Sequence, residues 1–245
     1  MMYAEDIICA DWSAPGGIIA GCTTRIGGGS QGVYQALNLG AHVGDDPATV
    51  AANRQTMIDT LSLPAEPVWL NQVHSATVAV EPSPAMEADA ALTGQAGTIC
   101  TVMVADCLPV LFCSDDGAQV AAAHAGWRGL AAGVLENTIA GFAAEPAELN
   151  VWLGPAISQD AFEVGEEVRD AFLQTDIASG SCFVRNENDR WQADLYGLAR
   201  RRLVLAGVRN VSGGGFCTYG DQERFFSYRR DGQCGRMAAF VYRAP

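Results

Sequence analysis

The chain has 245 residues, 49% of them aliphatic, aromatic or sulfur-bearing, and 28 acidic against 15 basic side chains give a net charge of −13. That apolar share excludes an intrinsically disordered chain, and the length suits one large domain. Nucleic-acid backbones and anionic membrane faces are held by clustered cations, so neither nucleic acid nor membrane is expected as a partner.

The first residues hold Asp6 and Asp11 where a secretory signal would be apolar. The longest apolar stretch, 98–112, is broken by Asp106 and Pro109 and falls short of the roughly 18 residues of a membrane span. A cytoplasmic protein is the expectation, with its eight cysteines kept as thiols. They form no C-x-x-C pair, which excludes a thioredoxin-type motif and a zinc ribbon.

Strands are expected at 7–10, 17–22, 68–70, 77–81, 98–104, 110–113, 120–124, 151–153 and 237–241. Several are rich in Val, Ile and Ala without strict alternation, as strands buried on both faces are. Asp46 followed by Pro47 reads as an N-cap and first helical residue, opening a helix to about Leu61. Further helices are expected at 130–142, 166–174 and 195–205. No repeat or linker divides the chain. The expected class is α+β: one domain, 1–245, of mixed sheet flanked by helices.

Within 25–32, Gly27, Gly29 and Gly32 take the G-x-G-x-x-G spacing, and Asp45 and Asp46 lie near the distance of a ribose-binding acid. A dinucleotide site needs a helix directly after the loop, and here the helix waits until Pro47. A plain turn is the simpler reading; the sharper one is an anion cradle of Arg25 and loop amides.

Three segments carry the chemistry. One ends in His74, one runs from an apolar strand into Asp106 and Cys107, and one delivers His124 from a small-residue strand into a glycine turn. All three place a polar side chain near the end of a buried strand, where a scaffold holds site residues rigidly. Two imidazoles and a thiolate are enough to hold zinc with one position open, the catalytic arrangement. The competing reading of each residue alone is simple packing.

The chain resembles the laccase-domain family, known first as multicopper polyphenol oxidases and now as purine nucleoside phosphorylases. The resemblance rests on TTRIGGGS (23–30), LNLGAHVGDD (37–46), NQVH (71–74), ADAAL (88–92), ADCLP (105–109), HAGWRG (124–129), GPAI (154–157), CTY (217–219) and FFSYRRDG (225–232). It departs at Cys234, where threonine is more usual. Membership implies zinc on His74, Cys107 and His124, with a mixed-sheet α+β fold. It also implies phosphorolysis of adenosine, inosine, guanosine and S-methyl-5′-thioadenosine, with accompanying adenosine deamination.

The histidine count tests the older family name. A multicopper oxidase needs a trinuclear copper cluster on many histidines besides its electron-entry copper, and this chain has three, His42, His74 and His124. A laccase mechanism is excluded; copper stays the second-choice metal because it outcompetes zinc at most nitrogen and sulfur sites. Phosphorolysis asks for an anion site beside C1′ of the ribose, for which Arg25 and Arg128 are candidates. Deamination asks for an activated water and a proton shuttle; the usual H-x-E and P-C-x-x-C signature is absent, leaving Asp106 and Cys107 nearest to hand. Cys107, His124 and Asp106 are the expected catalytic residues. Asn71 and Gln72 are candidates for ribose hydroxyls or caps of the strand end; Arg229 and Arg230 both read first as surface or ion-pair residues, with Arg229 the candidate for substrate contact, and His42 is a third imidazole whose place the sequence does not fix. Two rivals from other classes remain: a metal-free cysteine hydrolase with Cys107 as nucleophile and His124 or His74 as base, and a non-enzymatic binding protein clipped by zinc.

Overall fold

The computed structural model describes Met2 and residues 6–245. In chain order the elements are β1 (Ile7–Cys9), β2 (Ile18–Thr23), α1 (Pro47–Leu61), β3 (Val78–Val80), β4 (Ala90–Thr93), β5 (Cys100–Val104), β6 (Leu108–Ser114) and β7 (Val120–Ala125). They continue with α2 (Trp127–Ala132), α3 (Val134–Ala140), β8 (Leu149–Leu153), β9 (Glu163–Val164), α4 (Glu166–Leu173), β10 (Phe183–Arg185) and β11 (Trp191–Ala193). The last are α5 (Leu195–Leu205), β12 (Asn210–Gly213), α6 (Tyr228–Asp231) and β13 (Met237–Arg243).

A six-stranded sheet runs β12-β8-β6-β7-β4-β3 and a four-stranded sheet runs β1-β2-β13-β5. The larger is mixed: β12 is parallel to β8 and β3 to β4, and the strands between are antiparallel. A small sheet, β10-β11-β9, lies to one side.

Alternation along β6 shows how the layers are glued. Val110 and Phe112 point into a core shared with Leu130, Leu135, Phe172 and Leu198 from the helices α2 to α5. Leu111 and Cys113 point the other way, into a core shared with Val102 of β5 and Ala239 of β13. The far face of the four-stranded sheet, with Met103 and Phe240, is covered by Met57 of α1 and by Leu37 and Leu39. Each central strand is therefore apolar on both faces, which removes the hydropathy alternation of a half-exposed strand. The result is the expected mixed-sheet α+β class.

Several local outcomes differ from expectation. The helix at 130–142 is two helices, because Gly133 adopts φ 95°, which closes α2 with a left-handed cap. The 68–70 run makes one isolated bridge, Val68 to Cys100, and no strand. The Ala-rich β4 is a strand because β3 and β7 flank it; packing overrides its weak intrinsic preference. The short β10, β11 and β12 were too brief to show a period. The cap on α1 forms as expected, with the Asp46 carboxylate accepting from Thr49 N at 2.9 Å.

Candidate functional site

His74, Cys107 and His124 converge. Their ligand atoms lie within 4.8 Å of one another, Cys107 Sγ is 4.0 Å from His74 Nε2, and the two imidazoles meet edge to face at 4.8 Å. His124 is the penultimate residue of β7, opposite Pro109 of β6. Cys107 sits in the sharp turn joining β5 to β6, just after Asp106 at φ 83°, and His74 takes φ 61°. Two non-glycine residues at or beside the cluster thus hold a left-handed backbone, a conformation that persists only where its surroundings enforce it.

Asp89 does the enforcing for His74. Fully buried, its Oδ1 accepts from His74 N at 3.0 Å and from His124 Nδ1 at 2.9 Å. Its Oδ2 accepts from Val73 N, Ser75 N and Ser75 Oγ at 3.2, 2.6 and 2.8 Å. Burial would raise this carboxyl, but the His124 and Ser75 hydrogen bonds override it and hold the group well below the usual carboxylate range. Because Nδ1 of His124 is committed to Asp89, Nε2 is the ring nitrogen left for a metal or proton.

The electrostatics favour a cation between the donors. Burial opposes ionisation of Cys107, yet the neighbouring His124 and His74 imidazoles win and draw the thiol below its ordinary value. Burial likewise opposes the imidazolium of His124, and Cys107 with Asp89 raises it. Zinc bonds of about 2.0–2.3 Å space tetrahedral ligand atoms roughly 3.5 Å apart, so small ring movements suffice to close this set around an ion. Gly126 leaves the room: a Cβ there would stand 3.0 Å from Cys107 Sγ and 3.1 Å from His74 Cδ2. The donor set fits zinc, and the residues that would hold it are the three expected.

The cluster opens into a cavity of about 280 Å³, close to the lower bound for small-molecule sites. Trp127, Phe162 and Tyr228 give it aromatic walls, Arg229 and Arg236 give it cationic ones, and the His42 imidazole borders it as well. Gln72 lines it with its amide clamped to β5, Nε2 donating to Met103 O at 2.9 Å and Oε1 accepting from Met103 N at 2.7 Å. Asp106 lines it as well, but its oxygens accept from Thr218 Oγ1 and Arg229 N, both at 2.7 Å. That carboxylate pins α6 over the cavity. Arg229 lies against the Phe162 ring, its centroid 5.2 Å away, and donates from Nη1 to Glu163 O.

Other expected residues lie elsewhere. Arg25 donates to Gln35 O and Gln222 O and stacks on Phe226. The Gly29 and Ser30 amides are spent on Asn53 Oδ1 and Ala36 O, so these groups form no anion cradle. Asn71 pairs through its backbone with Met86 and Ala88. Arg128 is an exposed residue stacked on Trp127. Arg230 donates to Thr218 O, Tyr219 O and Phe225 O and pairs with Asp231. Sequence reasoning gave no role to Asp89, Gly126, Phe162, Tyr228 or Arg236. Only Asp89 left a trace, as the lone acid in the apolar 88–92 run.

The chain is similar to known proteins over nearly its whole length. Residues 19–244 match the family described as multi-copper polyphenol oxidoreductase laccase. The purine nucleoside phosphorylase YfiH of Escherichia coli is 51% identical over 239 residues, covering 96% of this chain and 98% of that protein. A purine nucleoside phosphorylase of Pseudomonas aeruginosa is 53% identical over 234 residues, covering 95% and 96%. Among solved structures, a Neisseria meningitidis protein superposes with a TM-score of 0.92 at 48% identity, covering 98% of this chain and 100% of that one. YlmD of Geobacillus stearothermophilus gives 0.89 at 32% identity, covering 94% and 93%. By sequence and fold together, the chain belongs to the multi-copper polyphenol oxidoreductase laccase family.

Proposed function

We propose that the chain is a cytoplasmic, zinc-dependent purine nucleoside phosphorylase, acting on adenosine, inosine, guanosine and S-methyl-5′-thioadenosine, with adenosine deamination as a side activity. The observation that carries the reading is the His74, Cys107 and His124 cluster opening onto an aromatic and cationic cavity. The names of relatives about half identical to it support the activity.

In phosphorolysis a phosphate oxygen forms a bond to C1′ as the C1′–N9 bond breaks. The bonding electron pair leaves with the purine, which ends with the proton of hydrogen phosphate, so free base and ribose 1-phosphate balance the step. The ion would rest on His74, Cys107 and His124, supplying a Lewis acid beside the nucleoside. Phe162, Tyr228 and Trp127 offer flat faces to a purine. Gln72 is held rigid by its clamp on Met103, Asp106 fixes α6, and Asp89 holds His124 in the tautomer that leaves Nε2 free. Catalysis of this kind is mostly positioning and charge stabilisation.

A second reading has a specific observation behind it. Cys107, His124 and Asp89 stand in the order nucleophile, base and orienting acid, the layout of a metal-free cysteine hydrolase. Inosine supplied with phosphate, before and after chelation, separates the two. Hypoxanthine release that requires phosphate and stops on metal removal supports the phosphorylase. Turnover indifferent to the chelator and abolished by thiol alkylation supports the hydrolase. Full metal content with no turnover of any nucleoside overturns both. Cys107→Ala is expected to lose bound metal and turnover together.

A further inference from the structure

All 15 cationic side chains of the chain are arginines, and many face a carboxylate, as Arg169, Arg201, Arg202 and Arg224 do. Arg236 is one of the arginines that face none. Among the described residues no carboxylate lies within 4 Å of it, although it borders the cavity of a protein whose net charge is −13. Its stem lies against Gly40, where an added Cβ would come within 2.8 Å of Arg236 Cγ. Its Nη1 is tied to Cys234 O at 2.9 Å and Gly235 O at 3.0 Å. The guanidinium is thereby fixed, with Nε and Nη2 left without an acceptor among the described residues.

His42 borders the same cavity, two residues beyond Gly40, and has no hydrogen-bond partner among the described residues. Burial, then Arg236, Arg54 and His124, lowers it toward the neutral imidazole, which places it in the same field of positive charge. Among the described residues the one acid in the cavity wall, Asp106, already spends both oxygens on Thr218 and Arg229 N. A cavity with fixed, unneutralised cations in an otherwise anionic protein attracts a small anion, and arginine donors match the geometry of a phosphate.

We propose that Arg236, with His42 beside it, is the phosphate-holding pair of this cavity, in place of Arg25 and Arg128. The assignment rests on the phosphorylase reading for its purpose, and its test does not.

Two measurements on the purified full chain decide it: steady-state phosphorolysis of inosine at varied phosphate, and calorimetric titration with inorganic phosphate alone. A charge-assisted hydrogen bond is worth enough to move affinity about tenfold to a hundredfold. Arg236→Gln is therefore expected to raise the KM for phosphate by about that factor and to leave the KM for inosine within about twofold, with Arg236→Lys recovering part of the loss. His42→Asn is expected to shift the phosphate KM the same way by a smaller factor; its ring has no hydrogen bond to lose among the described residues, so it carries the test if Arg236→Gln does not fold. If no nucleoside is turned over but phosphate binds and the variants weaken it, the anion site stands and the phosphorylase reading falls. Phosphate binding equal in wild type and folded variants, or absent from the wild type, overturns the anion site whatever the turnover.

Discussion

Replacing Asp89 by Asn tests whether one buried carboxylate organises the metal site. In the first amide orientation, the new NH2 group stands in place of Oδ1 and faces His74 N–H and His124 Nδ1. The backbone N–H cannot turn away, so one donor in this part-buried bond goes unmet, at about 1–3 kcal/mol. The imidazole can yield only by moving its proton to Nε2, the nitrogen needed for the metal. In the second orientation the NH2 group faces Val73 N–H and Ser75 N–H, so two fixed donors go unmet and the first orientation wins. With a melting-point change of about 2–4 °C per kcal/mol for a domain of this size, Asp89→Asn is expected to melt about 2–12 °C lower. Loss of such a supporting carboxylate typically costs about 10–100-fold in metal affinity. Thermal unfolding followed by circular dichroism and a competitive zinc titration read the two effects. A variant that melts with the wild type and binds zinc equally well refutes the argument, since neither the unmet donor nor the displaced tautomer would exist.

Gly126→Ala adds a methyl between Cys107 and His74 at a residue whose backbone, φ −63° and ψ 156°, suits alanine. Overpacking costs about 1–3 kcal/mol, here falling on the ion's space. Zinc affinity is expected to drop about tenfold or more with an unchanged near-ultraviolet spectrum; wild-type affinity would show that the space is not where the ion sits. Leu111→Ala empties a fully buried position between the two large sheets and is expected to cost about 2–5 kcal/mol in urea unfolding. A loss below about 1 kcal/mol would mean the sheets close over the gap.

What the sequence revealed followed the range of the underlying interactions. The Asp46 cap and α1 are set within one helical turn, and both were legible. Cys107 and His124 stood out because each ends a long apolar strand, and their chemistry needs few residue types. Arg25 misled because a glycine-rich loop beside an arginine looks the same whether its amides face solvent or, as here, Asn53 and Ala36. Arg236 was invisible because its value comes from what is absent, a carboxylate partner, and that is a property of the packed molecule. Asp89 lay in a quoted motif without a role, since nothing local says that its oxygens reach His124, 35 residues on. The strand β12 exists through its pairing with β8, about sixty residues earlier, while β10 and β11 are the three-residue arms of one hairpin, too short to show a period.

The placement of β13 between β2 and β5 bears on how the protein is made. Its ladder joins residues as far apart in sequence as Cys22 and Ala239, so during synthesis the edges of β2 and β5 that β13 will fill wait unpaired, β2 for about two hundred residues and β5 for about 130. Such long-range closure is slow and leaves unsatisfied strand edges open to sticking. The nascent polypeptide is at its most aggregation-prone just before β13 clears the ribosome, and a premature stop upstream of Met237 would leave no half-working remnant, only a sheet missing its middle.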